Sequence, residues 1–346
     1  MEEPDLTALY SDKLSRWTLI LVLLVLAFFI SIIITISIGM VNIPFSEVIE
    51  ILLGGEGAGN NRTIIIDIRL PRILMAGLVG AALALAGAAM QGLFKNPMAS
   101  PYILGLSSGG AFGASLAIVL GVSFATGAFA VPAMAFVFCF LTLFLVYTIS
   151  KVNGRTPVET LLLSGIAVGA FFSALVSFMK YLSGDQLASI VFWMMGGLWG
   201  ADWTKVFAII PFILAGVVMV FIISRDLNTM MIGEEHAVNL GVDTQRVTIV
   251  VLVATSLMTA AAVSVSGIIG FVGLIVPHIM RIFVGPDHRI LLPATLMVGA
   301  IFMMYMDTLA RTIMAPEELP VGIITALMGA PFFIYLLRRR RRLMGW

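Results

Sequence analysis

Charge is what this sequence has least of. Only 11% of its 346 residues are Asp, Glu, Lys or Arg, where a water-soluble domain carries about 25%. Hydrophobic residues make up 60% of the chain, so lipid rather than water is the solvent that most of its surface meets. A single cysteine, Cys139, excludes an internal disulfide framework. It lies inside an apolar run and reads as a small buried hydrophobe. The three histidines, His236, His278 and His288, have neither the spacing nor the acidic neighbours of a zinc site, and no metal is expected. A phosphate cradle is missing as well. GGEGAGNNRT at 54–63 echoes a glycine-rich loop, but Asn60 and Asn61 stand where lysine and a hydroxyl residue are required.

Long apolar runs are what the chain has in abundance. Runs of about 20 residues without alternation specify helices rather than barrel strands, because a spanning segment must satisfy its own backbone in hydrocarbon. Ten fall near 17–40, 70–94, 102–121, 126–150, 158–182, 204–224, 247–266, 268–284, 290–312 and 320–337. A further run, LASIVFWMMGGLWGA at 187–201, is shorter and rich in glycine and tryptophan, which fits a re-entrant or interfacial segment. No small-residue cleavage site closely follows the first run, so it is expected to be retained. The expected fold is an all-α polytopic membrane protein, one transmembrane domain over 1–346.

Basic residues orient the spans. With ten crossings and a cytoplasmic N-terminus, most of the 20 Lys and Arg residues fall on the inner side. Counting 187–201 as a full crossing would instead export the arginines of 338–342. Residues 1–16, the segment 225–246 and the basic tail 338–346 are therefore expected in the cytoplasm, in a protein of the cell membrane.

Ionisable groups at membrane depth are few. Asp307 and Arg311 lie one helical turn apart near the outer end of the ninth run, a spacing that reads as a local pair rather than a proton relay. The alternative of an ion-coupled secondary transporter lacks the membrane carboxylates it needs. An intramembrane enzyme would have only His278, Asp307 and Arg311 to work with. What remains is the body of a transporter without a motor, and a motor in another subunit needs a cytoplasmic docking surface.

RDLNTMMIGEEHAVNLGVDTQR at 225–246 supplies a polar island of the right kind. Gly233 breaks the chain before a short helix whose first turn holds Glu234 and Glu235, where the macrodipole favours anions. Ala237 and Leu240 are expected on one side, and Gly241 stops the helix at its C′ position. Two turns are too short to be stable alone, so the helix requires a partner surface. On the outer side, Arg69 and Arg72 flank Leu70–Pro71 at the expected start of the second span. Proline suits a first helical turn but cations do not, so an acidic group, Asp67 or a lipid phosphate, should compensate them.

GEEHAVNLGV resembles the coupling segment of the iron-chelate and cobalamin family of ABC-importer permeases, the type II importers. RLPRILMAGLVGAALALAGAAMQGLFKNPMASPYILGLSSGGAFG (69–113), SGIIGFVGLIVPHIMRIFVGPDHRILLPAT (266–295) and ELPVGIITALMGAPFFIYLL (318–337) are similar to that family's signatures. The resemblance covers nearly the whole chain. It implies ten spans in inverted-repeat halves, a homodimer with the path between copies, two separate ATPase subunits inside and a substrate-binding protein outside. It implies no nucleic-acid partner and no cofactor on this chain, with ATP and magnesium used by the partner ATPase. Gly233, Glu234, Glu235, Ala237, Leu240 and Gly241 match the helix that docks on the ATPase. Arg69, Arg72 and Arg311 match positions that dock the binding protein. KNPMAS (95–100) and GRTPVE (154–159) resemble the cytoplasmic gate loops, with Asn96, Met98, Thr156 and Pro157 at the constriction. Ser164 and Val168 match the pathway face of the fifth helix. Cargo in the family ranges over iron–siderophore complexes, haem, cobalamin and oxyanions such as molybdate.

Overall fold

The computed structural model describes residues 6–122 and 129–344, and its elements are helical. They run in order α1 (Leu6–Ser37), α2 (Phe45–Leu52), α3 (Asn61–Leu93), α4 (Leu106–Val119), α5 (Ala130–Ser150), α6 (Val158–Leu182), α7 (Leu187–Met195), α8 (Trp203–Ile222), α9 (Ser224–Ile232), α10 (Glu234–Asn239), α11 (Thr244–Ser266), α12 (Val272–Val284), α13 (His288–Thr312) and α14 (Val321–Met344). Helices α1, α3, α5, α6, α8, α11 and α13 are long and apolar enough to cross a bilayer, and α4, α12 and α14 contain shorter apolar segments. Together they correspond to the ten runs. The first residues of the expected span 126–150 lie outside the described residues, as do the extreme ends of the expected cytoplasmic N-terminus and tail.

The short members expose a problem that the bundle solves internally. A helix of 13 residues such as α12 spans only about 20 Å, less than a hydrocarbon core of about 30 Å, so the irregular backbone beside it must be satisfied by protein. The Tyr102 hydroxyl donates to Ile269 O at 3.0 Å, joining the break before α4 to the break before α12. Gly197 N–H donates to Ser266 O at 2.8 Å, and Gly322 N–H donates to Gly196 O at 3.2 Å. The end of α7, the α11–α12 break and the start of α14 therefore bond to one another. The run 187–201 accordingly forms the nine-residue α7 and a loop bound into the bundle.

Small residues decide what sits at the centre. The apolar window of α3 is 89% buried and that of α11 78%, against 17% for α1 and 28% each for α5 and α8. Helix α3 packs on α11, α12 and α13. A Cβ at Gly87 would lie 1.9 Å from Gly273 O, and one at Gly80 would lie 2.2 Å from Gly299 O. Backbones meet here without side chains between them, the close approach that small residues allow in lipid.

At the α1–α3 connection one expectation is corrected and one element is new. The second span was expected to begin near residue 70, but the helix is continuous from Asn61, through a π-helical stretch at Ile64–Arg69. The indole N–H of Trp203 donates to Ile66 O within that stretch at 3.0 Å, fastening α8 to it. The amphipathic helix α2 was not anticipated. It buries Val48 and Ile51 while Phe45, Ile49 and Leu52 remain exposed.

Gly87→Ala forces α3 and α12 apart and should destabilise the protein by about 1–3 kcal/mol. Gly270→Ala, where a Cβ meets nothing within 4 Å, should leave stability unchanged. Thermal unfolding of both variants in detergent checks the contrast.

Candidate functional site

Two polar regions occupy opposite ends of the α3–α13 pair. Arg72 and Gly92 mark them on α3, about 30 Å apart at the α-helical rise. That separation matches the thickness of a bilayer core.

The first region is a buried charge cluster. Arg72 donates through Nε and Nη2 to Asp307 at 3.0–3.2 Å, and through Nη1 to Glu318 at 2.9 and 3.1 Å. Arg311 Nε lies 3.1 Å from Asp307 Oδ2, and Arg311 Nη2 donates to the Thr308 hydroxyl at 3.1 Å. Arg69 donates to the carbonyls of Ile36 at 2.6 Å and Ser37 at 3.3 Å, and to that of Val41. Arg311 reaches Thr35 O at 3.5 Å. The last carbonyls of α1 have no intrahelical donors, and cations are favoured at a helix C-terminus.

This geometry corrects the reading of the arginines. No helix begins at 69–72, because α3 starts at Asn61. The acidic partners are Asp307 and Glu318 rather than Asp67, and they come from elements far away in sequence. Arg72 and Arg311 share Asp307, and Arg69 and Arg311 both donate to carbonyls at the end of α1, so none of the three is an exposed cation. Arg69 and Arg311 are each 6% exposed and Asp307 1%.

The second region surrounds α10. Gly233 takes a φ of +155°, a conformation that favours glycine, and Glu234 and Glu235 occupy the first turn. At the far end Gly241 has a φ of +85°, with Gly241 N–H donating to Val238 O at 2.9 Å and Val242 N–H to Ala237 O at 3.0 Å. This is a Schellman stop. Ala237 is fully buried, whereas Leu240 is 68% exposed. The expectation that both share one side is therefore corrected, since Leu240 lies past the last helical turn. Leu240, Ile232 and Val238 are exposed apolar residues within nine positions that also hold the exposed Glu234 and Glu235.

The island is tied to the bundle at its N-terminal end. Asn228 of α9 donates to Asp287 at 2.8 Å and accepts from the backbone N–H of His288 at 2.8 Å. The His288 ring Nδ1 is also 2.8 Å from Asn228 Oδ1, and the ring packs against Gly92 of α3. Asp287 caps α13 and takes further bonds from Arg289 at 2.8–3.1 Å. Lys13 Nζ lies 3.5 Å from Asp287 and 4.7 Å from the Trp17 ring centre. The hydrogen bonds from the Arg289 side chain, more than any other contact, hold the Asp287 carboxyl well below the usual carboxylate range. A depressed carboxyl contributes stability above its unfolded pKa and loses it only as pH falls through the lower folded value. The anchor therefore persists through neutral and mildly acidic pH.

The expected gate and pathway residues divide. Asn96, Met98 and Pro157 are exposed, and Asn96 Oδ1 accepts from Met98 N–H at 2.9 Å. Thr156 is buried at 6% exposure. Ser164 and Val168 are both 7% exposed, inside the subunit, which corrects their reading as pathway residues. The reason is again small residues: Gly165 and Gly169 bring that face of α6 onto Ile103–Gly105. The outward face of α6 instead carries Leu163, Ile166, Ala167, Ala170, Ala174 and Ser177. Their three- and four-residue spacing was readable as a stripe, but composition alone did not say which stripe faced out. Among the described residues, no group of three His, Cys, Asp or Glu side chains could hold a metal ion.

Comparison with known proteins agrees with this architecture. A profile of the FecCD transport family matches residues 23–339. The cobalamin import system permease protein BtuC of Halobacterium salinarum is 48% identical over 279 residues, covering 81% of this chain and 74% of that protein. The hemin transport system permease protein HmuU of Yersinia pestis is 40% identical over 279 residues, 80% of this chain and 83% of that one. A solved metal-chelate type ABC transporter in an inward-facing conformation superposes with a TM-score of 0.81 at 36% identity, covering 92% of this chain and 99% of its own.

Asp307→Asn leaves Arg72 and Arg311 facing a neutral amide in a buried site and should cost about 3–5 kcal/mol. The paired change Asp307→Leu with Arg311→Leu should recover much of that loss, because it removes charges of both signs together. Unfolding curves in detergent distinguish the two.

Proposed function

The chain belongs to the FecCD transport family, and from that premise we propose that it is the membrane-spanning permease of an ATP-driven, binding-protein-dependent importer of a metal chelate. The observation that carries this reading is α10: a two-turn helix bounded by Gly233 and a Schellman stop at Gly241, with Ile232, Val238 and Leu240 exposed near Glu234 and Glu235. An isolated helix of that length does not persist alone, and its exposed edge fits a groove on an ATPase subunit.

In this reading α10 and both termini lie in the cytoplasm, and ATP with magnesium is used by the partner ATPase rather than by this chain. Two copies pair through faces that include the outward side of α6, whose exposed Leu163, Ile166 and Phe171 need either lipid or a second subunit. The binding protein docks at the opposite end, on a rim stiffened by Arg69, Arg72 and Arg311. Glu318, at 28% side-chain exposure, and Arg72, at 12%, are the more reachable members of that cluster. Asn96, Met98 and Pro157, with Thr156 behind them, form the cytoplasmic gate. Cobalamin is the first cargo to test and haem the second, following the relatives named above.

The test reconstitutes the permease with its ATPase and binding protein in liposomes and follows labelled cobalamin and haem. Uptake should require ATP hydrolysis. Glu235→Arg should insert normally, lose the co-purifying ATPase and reduce uptake about tenfold or more, the scale of an interface hot spot. Uptake driven by a proton gradient without the ATPase would sink the proposal.

A further inference from the structure

The cytoplasmic island holds the bundle at two ends, and the two grips differ in kind. At its N-terminal end, Asn228 is fixed by 2.8 Å bonds to Asp287 and His288. At its C-terminal end the grip passes through Gln245, in the first turn of α11. Gln245 Oε1 accepts from the backbone N–H of Thr156 at 3.3 Å and lies 3.3 Å from the Thr156 hydroxyl. Gln245 Nε2 sits 3.2 Å from the same hydroxyl. These longer contacts join the first turn of α11 to the loop before α6, 89 positions away in sequence.

The surroundings make this contact a lever. On one side, the Thr244 hydroxyl donates to Glu234 Oε1 at 3.4 Å, linking Gln245's neighbour to the first turn of α10. Asp243 caps α11 through Arg246 N–H at 3.0 Å, so Gln245 rides on an ordered helix start. On the other side, Thr156 immediately precedes Pro157, the N-cap of α6. A shift of α10 therefore has a continuous route, through Glu234, Thr244 and Gln245, to the start of α6. The Asn228 bonds, at 2.8 Å, are shorter than the 3.2–3.3 Å contacts of Gln245.

We propose that Gln245 is the positioning residue through which the α10 segment sets Thr156, and with it the cytoplasmic end of α6. This rests on the importer reading above. Gln245 touches neither cargo nor ATPase in this role; it transmits.

The experiment uses the reconstituted complex with labelled cobalamin and measures uptake per ATP hydrolysed. Gln245→Ala and Thr156→Val, the latter close in shape to threonine but without the hydroxyl, should each keep the co-purifying ATPase. Each should lower the uptake-to-hydrolysis ratio about tenfold, the scale of a lost hydrogen-bonded pair. Thr156→Ser, which keeps the hydroxyl, should retain most of the ratio. The double variant should be no worse than either single one, as for two members of one contact. Wild-type ratios in both single variants, additive losses, or loss of the ATPase from Gln245→Ala would each overturn the linkage. Wild-type uptake that needs no ATPase would overturn the importer reading itself.

Discussion

Polar groups in this chain must find partners without water across about 30 Å of hydrocarbon, and much of the architecture follows from that constraint. Unbroken helices meet it by themselves. The three short apolar helices do not, and their ends lie where Tyr102, Gly196, Gly197, Ser266, Ile269 and Gly322 exchange hydrogen bonds. The same constraint explains the arginines at the α1–α3 connection. Arg69 and Arg311 donate to the last carbonyls of α1, so that a helix end and two buried cations satisfy one another.

A second consequence is that the centre of the bundle is built from the smallest residues. Helix α3 contributes Gly80 and Gly87 at points of backbone contact with α13 and α12. Lipid chains are as apolar as leucine, so burial of large side chains gives little drive for helices to associate; close backbone packing does more. The helices α1, α5, α6 and α8, whose apolar windows are 17–39% buried, carry many exposed large hydrophobic side chains. The closely packed centre carries polar clusters at both ends, one of them beside the polar island.

Periodicity and composition made much of this legible. The ten apolar runs, the short polar helix bounded by Gly233 and Gly241, and the shortness of 187–201 all follow from local chemistry. Asn228 and Gln245 were not legible as contacts, because their partners lie 59 and 89 positions away and no pattern near either residue points to those partners. Ser164 and Val168 were placed on the wrong side of α6 because glycine and serine mark a tightly packed face as readily as a pathway.

The division between the two levels is therefore physical. Hydrophobic length, turn chemistry and the bias of basic residues act within one helix or loop, so the sequence alone determined the class of fold, the number of runs, the polar island and the absence of a phosphate cradle. Which charges pair, which face of a helix looks outward and which loop the island grips depend on neighbours brought together only when the helices pack. Arg72 illustrates the difference. Its sequence neighbours offered Asp67 as a partner, and the tertiary structure chose Asp307 and Glu318, because only the packed bundle places two carboxylates beside that guanidinium away from water.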